Sequence, residues 1–392
     1  MNKKIITFIV TKDCQLACKY CYLVGKNNSE RMSFDTAKKS IDYILSHREM
    51  FPEDKAEFNF IGGEPTLEIK LIDQICDYLK KEMFRLNHPW FNQYRIGFTT
   101  NGINYDNFLI QEFIKKNSKH LSITITIDGT PQKHDVNRIY KNTKKGSYND
   151  VVKHIPLWIK QFPNAQTKVT ISSEDIPYIK ESVLHIYDIG IKSMHINCVS
   201  EDVWKKNDDK LFEQQLIELA DVIIDGKYYR DHECSFFDEH IGKPIPHSKK
   251  NNYCGAGHML SIDAAGNFYP CTRFAQYSLR DKKAWMIGNI NKGIDKNKLR
   301  PFLTLDRCTQ SKQECIDCEV ASGCAWCQGE NYDAAESSTI YQRATAICKM
   351  HKARVRANNY YWNKLYRKLE LEGIAKEEAE KQMKQSSNNI NC

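Results

Sequence analysis

The sequence predicts an α/β fold: a parallel sheet with helical crossovers over residues 1–205, then a cysteine-rich unit with little regular structure and a C-terminal helix. Three observations carry this. Short β-rich runs alternate with amphipathic stretches in the first half, the pattern of a parallel sheet. At 392 residues the chain exceeds what a single hydrophobic core serves. And eight of the fifteen cysteines crowd into residues 251–350.

Strands are expected at 4–10, 57–61, 94–99, 121–127, 168–172 and 194–199. Between the first two, Ala37, Ile41, Ile44 and Leu45 recur at helical spacing; between the next two, Ile72, Ile75, Leu79 and Met83 do. Six such units are too few for the usual closed eight-stranded barrel. In any such sheet chemistry gathers at the C-terminal ends of the strands. Residues 206–250 read as a charged bridge, with a helix at 211–224 and a loop holding Pro244 and Pro246. The cysteine-rich unit spans 251–350, and 351–392 is a helix and tail. In the helix at 351–371, Val355, Tyr361, Leu365 and Leu369 form the stripe expected to be buried, and the polar stretch 382–392 is expected to fray.

A hydrophobic fraction of 41% supports sizeable cores, and no apolar run of the roughly 18 residues a membrane span needs is present. The apolar run after Met1 is too short for a secretory signal. Fifteen cysteines without such a signal point to a reducing cytoplasm and to metal ligation rather than disulfides. The net charge of +8 is dispersed, with no basic block or appendage of the kind that binds nucleic acid.

The first strand runs into Cys14-x3-Cys18-x2-Cys21, with Tyr20 before the third cysteine. A closed four-iron cluster usually takes four cysteine thiolates. Three within eight residues, with no fourth nearby, suit a cluster whose last iron binds something other than protein. Zinc sites favour paired Cys-x2-Cys knuckles that close a tetrahedron. The second strand leads to Gly62-Gly63-Glu64-Pro65, where paired glycines let backbone approach a ligand and Glu64 accepts from a cationic amine. The third closes on Thr99-Thr100-Asn101-Gly102, read equally as a helix cap or a cofactor contact. The fourth runs into Thr126-Ile127-Asp128-Gly129, followed by Arg138.

This series resembles the radical S-adenosylmethionine enzymes. The resemblance implies an open six-unit (βα)6 partial barrel and a 5′-deoxyadenosyl radical made at the cluster on Cys14, Cys18 and Cys21. It also implies a cofactor pocket of Tyr20, Gly62, Gly63, Glu64, Asn101, Thr126, Arg138 and Val199. Thr126 stands where the family usually has Ser, and either hydroxyl bonds a ribose or carboxylate oxygen. Arg138 matches the arginine that holds the cofactor's carboxylate; taken alone it would read as a surface ion pair. Cys76 and Cys198 read as small buried residues rather than ligands.

The later cysteines run Cys254, Cys271, Cys315-x2-Cys318-x5-Cys324-x2-Cys327 and Cys348, and in isolation the two Cys-x2-Cys pairs read equally as a zinc ribbon. Following the radical half, the order resembles the SPASM extension with its two auxiliary four-iron clusters, three [4Fe-4S] clusters in all. One departure is Cys324-x2-Cys327, where Cys-x3-Cys is common. Carried over, the pattern implies one closed cluster on Cys315, Cys318, Cys324 and Cys348. Another on Cys254, Cys271 and Cys327 is one thiolate short. Either Cys308 completes it or its fourth iron stays open for a substrate thiolate.

Among SPASM proteins the chain is most similar to maturases of ribosomally made cysteine-containing peptides. The resemblance therefore implies thioether cross-linking of a precursor peptide, with reduced flavodoxin or ferredoxin as electron donor. With the first strand beginning near residue 4, recognition is expected to fall to a separate leader-peptide-binding protein or to direct binding in the groove. Carbon–carbon cross-linking or epimerisation would use the same first half. Formylglycine synthesis is disfavoured, because Thr272 replaces the aspartate that sulfatase-activating relatives use as a base after the cysteine. A zinc-binding interaction protein is the remote alternative.

Overall fold

A computed structural model describes residues 3–250 and 254–373; the polar stretch 382–392 lies outside the described residues. The six strands form at the expected places: β1 Lys3–Thr11, β2 Lys55–Gly62, β3 Tyr94–Thr100, β4 Leu121–Ile125, β5 Thr167–Ile171 and β6 Ser193–Cys198. β1 to β4 pair in parallel in sequence order, with Ile6 opposite Phe58, Phe58 opposite Ile96 and Ile96 opposite Leu121. β1 is buried continuously from Ile6 to Thr11, as a strand covered on both faces is, whereas burial alternates along β2 (Ala56, Phe58, Phe60) and β4 (Leu121, Ile123, Ile125).

β4 stops two residues before its expected end, and side chains explain why. The Thr167 hydroxyl donates to Ile125 O at 2.8 Å and accepts from Ile127 N at 3.3 Å. Asp128 Oδ1 accepts from Thr170 N at 3.2 Å. These bonds replace the regular ladder, leaving a single parallel bridge, Thr126 to Lys168, across the β4–β5 seam. β5, β6 and the short β7 (Glu233–Cys234) then form a second, parallel sheet. The expected apolar stripes all face inward: Ala37, Ile41, Ile44 and Leu45, then Ile72, Ile75, Leu79 and Met83, are buried.

The cysteine-rich half is built onto the same sheet. β8 (Met259–Ile262) pairs in parallel with β1, and β9 (Asn267–Tyr269) returns antiparallel beside it. The open edge of β1 is thereby covered, which removes an exposed pairing template. The bridge helix Asp208–Asp225 packs along the C-terminal helix Cys348–Leu371. Lys364 Nζ bonds Asp221 at 2.7 Å, and Lys368 Nζ adds a bond at 2.8 Å to the Ile224 carbonyl at the end of the bridge helix. Val355, Tyr361, Leu365 and Leu369 are buried as expected. This pairing brings the start of the C-terminal helix over the C-terminal ends of the barrel strands.

Candidate active site

A cavity of about 700 Å³ opens there, lined by Cys14, Cys18, Cys21 and Cys327 and by Gly63, Glu64, Asn101, Thr126, Arg138 and Val199. Residues far apart in sequence meet because the motifs after β1, β2, β3 and β4 in the first sheet and after β6 in the second all follow the C-terminal ends of parallel strands.

The cysteine loop packs directly on the two glycines. A Cβ on Gly62 would lie 2.2 Å from Thr11 O, and one on Gly63 would lie 2.1 Å from Asp13 O. Gly63 N and Glu64 N donate to Thr11 O at 3.1 Å and Asp13 O at 2.8 Å. The close approach read from Gly62-Gly63 is thus first an approach to the loop that carries Cys14. Gly63 also reaches the cavity wall, whereas Gly62 is not among the lining residues.

Glu64 is buried and accepts four bonds. Oε1 takes Thr66 N at 3.0 Å, Thr66 Oγ1 at 2.6 Å and Thr100 Oγ1 at 2.8 Å; Oε2 takes Asn101 N at 2.7 Å. Burial raises its pKa, and these donors work against that shift. Oε1 is saturated, whereas Oε2 has one protein donor and room for another. Asn101 itself donates from Nδ2 to Gln15 Oε1 at 3.0 Å and lies 3.9 Å from Cys14 Sγ.

Arg138 is buried, not a surface residue. Nη1 donates to the Tyr20 hydroxyl at 2.9 Å, Tyr20 donates to Asp128 Oδ2, and Nε has no partner. Burial opposes ionisation of Asp128, but Lys133, Arg138 and His134 outweigh it and hold the carboxyl below its usual range. An arginine with an orphaned buried donor and a carboxylate oxygen with room to spare, both lining one cavity, fit the two charged ends of an amino-acid zwitterion. The methionine end of S-adenosylmethionine is such a group. The Tyr20 hydroxyl is committed to this chain of bonds.

The C-terminal thiols fall into two groups. Cys271 feels Cys327 and Cys254, and burial first, then those neighbours, push its thiol well up. Cys324 feels Cys348, Cys315 and Cys318. Cys308 lies on the separate short helix Arg307–Gln310. Among the described residues no three His, Cys, Asp or Glu side chains converge tightly enough for one metal ion. The donor sets suit a larger body: soft, deprotonatable sulfurs in threes and fours, the donor chemistry of an iron–sulfur cluster. Tyr22 stands between the first and second groups, with Cys21, Cys271 and Cys327 all near it and Arg273 4.9 Å from its ring centroid.

Several lining residues escaped the sequence reading: Tyr22, Lys168, Glu201, Arg273, His351 and Arg354. Lys168 alone carried a signal, a charge on a strand whose flanking residues are buried. Cys76 is fully buried, as expected, but Cys198 is only half-buried and lines the cavity.

The profile of the Radical SAM superfamily matches residues 8–197. The uncharacterized protein MJ0907 of Methanocaldococcus jannaschii is 31% identical over 297 residues, 74% of this chain and 89% of that protein. In structure, anSMEcpe with bound AdoMet superposes with a TM-score of 0.70 at 17% identity, covering 93% of this chain and 98% of that one. Streptococcus suis SuiB bound to precursor peptide SuiA superposes at 0.56 and 13% identity, covering 88% and 75%. With cysteine loop, Gly-Gly-Glu turn and buried arginine around one cavity, the chain belongs to the radical S-adenosylmethionine superfamily and is an enzyme of that kind.

Proposed function

We propose that this enzyme cross-links a cysteine-bearing precursor peptide by thioether bonds, using S-adenosylmethionine and three four-iron clusters. The observation that carries the reading is the arrangement of thiols at one cavity. Cys14, Cys18 and Cys21 line one wall, and Cys327, coupled to Cys254 and Cys271, lines another across Tyr22. Peptide-bound structures of the similar folds support the substrate class, since SuiB holds the precursor peptide SuiA and anSMEcpe a peptide named Cp18Cys.

In this reading Cys14, Cys18 and Cys21 hold one cluster and leave an iron for S-adenosylmethionine; together these groups supply a carbon radical that removes hydrogen from an unactivated carbon. Glu64 Oε2 accepts from the cofactor's amine and Arg138 binds its carboxylate. Thr126 and Asn101 offer polar contacts beside them, and Val199, 9% exposed at the end of β6, packs apolar surface on the adenine side. Tyr20 and Asp128 hold the Arg138 guanidinium in place. Cys254, Cys271 and Cys327 make a three-thiolate site, leaving a position for the substrate's sulfur; Cys315, Cys318, Cys324 and Cys348 make a closed one. The electron donor is reduced flavodoxin or ferredoxin.

The test is anaerobic reaction with a small cysteine-bearing peptide encoded beside the gene. The expected product is two hydrogens lighter per cross-link and resists alkylation at one cysteine per bond. A product whose cysteines all remain reactive would make the bond carbon–carbon. Cys308→Ala is expected to keep full iron content and activity; loss of one cluster would make Cys308 a ligand and close the second site.

A further inference from the structure

The two auxiliary thiol groups have different electrostatic surroundings, and the difference has a direction. Beside the inner group the sulfurs take neutral backbone donors, Glu330 N to Cys327 Sγ at 3.5 Å among them, and Arg273, although it reaches Cys327, is paired with carboxylates. Its Nη2 bonds Glu201 at 3.0 Å and Glu330 at 2.5 Å, and Glu330 also takes Arg280 at 3.0 Å.

Beside the outer group, Arg343 Nη2 donates to Cys324 Sγ at 3.0 Å and to Ala325 O at 3.2 Å. Its guanidinium lies 3.6 Å from the centroid of the Trp326 ring, which holds its plane. Among the described residues Arg343 has no carboxylate partner. Glu314 is the one carboxylate felt by Cys315, and none stands among the leading influences on Cys324, whose strongest charged neighbour is Arg343. The outer group also borders a second cavity of about 830 Å³, lined by Lys205, Lys206, Lys349 and Lys352 together with Asp202, Asp208 and Asp209. Met350 and His351 line both cavities, so the outer group stands between the reaction chamber and a separate opening.

Reducing a cluster adds one negative charge to it. A hydrogen bond to a ligating sulfur and an uncompensated cation nearby both favour that change. Arginine keeps its charge at any working pH. We infer that Arg343 raises the reduction potential of the cluster held by Cys315, Cys318, Cys324 and Cys348 above that of the inner cluster, so that electrons run outward. An electron on the inner cluster passes to the outer one; the first is oxidised, the second reduced, and no proton or bond moves. The inference rests on the two-cluster reading of the C-terminal half.

The experiment uses full-length protein with Cys14, Cys18 and Cys21 all changed to Ala, so that the auxiliary clusters alone remain. Iron analysis comes first: fewer than two clusters would refute the reading on which the inference rests, and the inference with it. Anaerobic redox titration followed by electron paramagnetic resonance then gives two midpoints. They are assigned with a second protein that also carries Cys315→Ala and Cys318→Ala. The outer midpoint is expected to be the more positive. Arg343→Gln is expected to lower it and leave the inner one unmoved, with Arg343→Lys in between, since lysine keeps the charge but loses the fork and the stacked plane. An outer midpoint below the inner one, or one unmoved by Arg343→Gln, overturns the inference. If Arg343→Gln fails to retain its cluster, Trp326→Leu takes its place, loosening the guanidinium without touching a thiolate. It must lower the same midpoint, and an unchanged value overturns the inference equally.

Discussion

Arg138 donates to the hydroxyl of Tyr20 at 2.9 Å, and Tyr20 donates onward to Asp128. Tyr20 sits between Cys18 and Cys21, so one phenol ties the cysteine loop to the guanidinium that faces the cavity. The loop and the pocket on the fourth strand therefore share a fixed geometry before any ligand binds.

Tyr20→Phe removes both bonds while keeping the ring. A hydrogen bond to a charged group contributes about 1.5–3 kcal/mol. Affinity for S-adenosylmethionine is expected to fall roughly tenfold or more, with iron content unchanged, and Arg138→Ala should do the same more strongly. Anaerobic calorimetry reads both, and unchanged affinity in the two variants would remove Arg138 from the pocket.

Glu64→Ala should act on two properties at once. It strands Thr66, Thr100 and Asn101 donors that now converge on one buried carboxylate. Leaving buried donors unpaired costs about 1–3 kcal/mol each. The melting temperature is expected to fall by several degrees as cofactor binding weakens, whereas Arg138→Ala should affect binding more than melting. Equal melting temperatures for wild type and Glu64→Ala would contradict the bonding described above.

Gly63→Ala places a methyl group 2.1 Å from the Asp13 carbonyl and 2.9 Å from Cys14 Cβ. Backbone cannot rotate away as a side chain can, so the loop must move, at a cost of about 1–3 kcal/mol. The variant is expected to lose about a third of its iron and sulfide, the share of one cluster among the three proposed, and to stop cleaving S-adenosylmethionine. Retention of all about twelve irons would show the loop to be pliant.

His134 gives the fold an acid-sensitive point. Its Nε2 donates to Ser147 Oγ at 3.1 Å while Nδ1 accepts from Asp128 N at 3.3 Å, so a second ring proton would face an N–H. Burial first, then Arg138, push its pKa from the usual 6.5 to about 3. The unfolded chain takes up a proton below 6.5 that the native ring refuses until about 3, so stability falls as pH drops through that window. The loss attributable to this residue is about 2 kcal/mol at pH 5. Denaturant titrations of wild type and His134→Asn at pH 7 and pH 5 check the sign: the variant, though less stable, should lose less on acidification.

The sequence by itself determined the six strands and their order, the inward stripes of the crossover helices, and the three-cysteine loop. These are local properties: period-2 and period-3.6 patterning and short ligand spacing survive in one dimension. Even so, β4 ended early, because the Thr167 hydroxyl and the Asp128 carboxylate, neither on β4, took its ladder bonds. Only the tertiary structure decided what stands beside what. Lys168 reaches the cavity from a strand with no motif of its own, and Tyr22, Arg273 and His351 reach it from positions just after Cys21, Cys271 and Cys348 that the cysteine spacing does not single out. Gly62 turned out to make room for Thr11, and Arg138 proved buried rather than paired at the surface. The division of the C-terminal thiols into an inner and an outer group depends on β8 docking against β1 and on the C-terminal helix packing along the bridge helix. Packing of that kind brings together residues hundreds of positions apart, and a single sequence carries no spacing that records it.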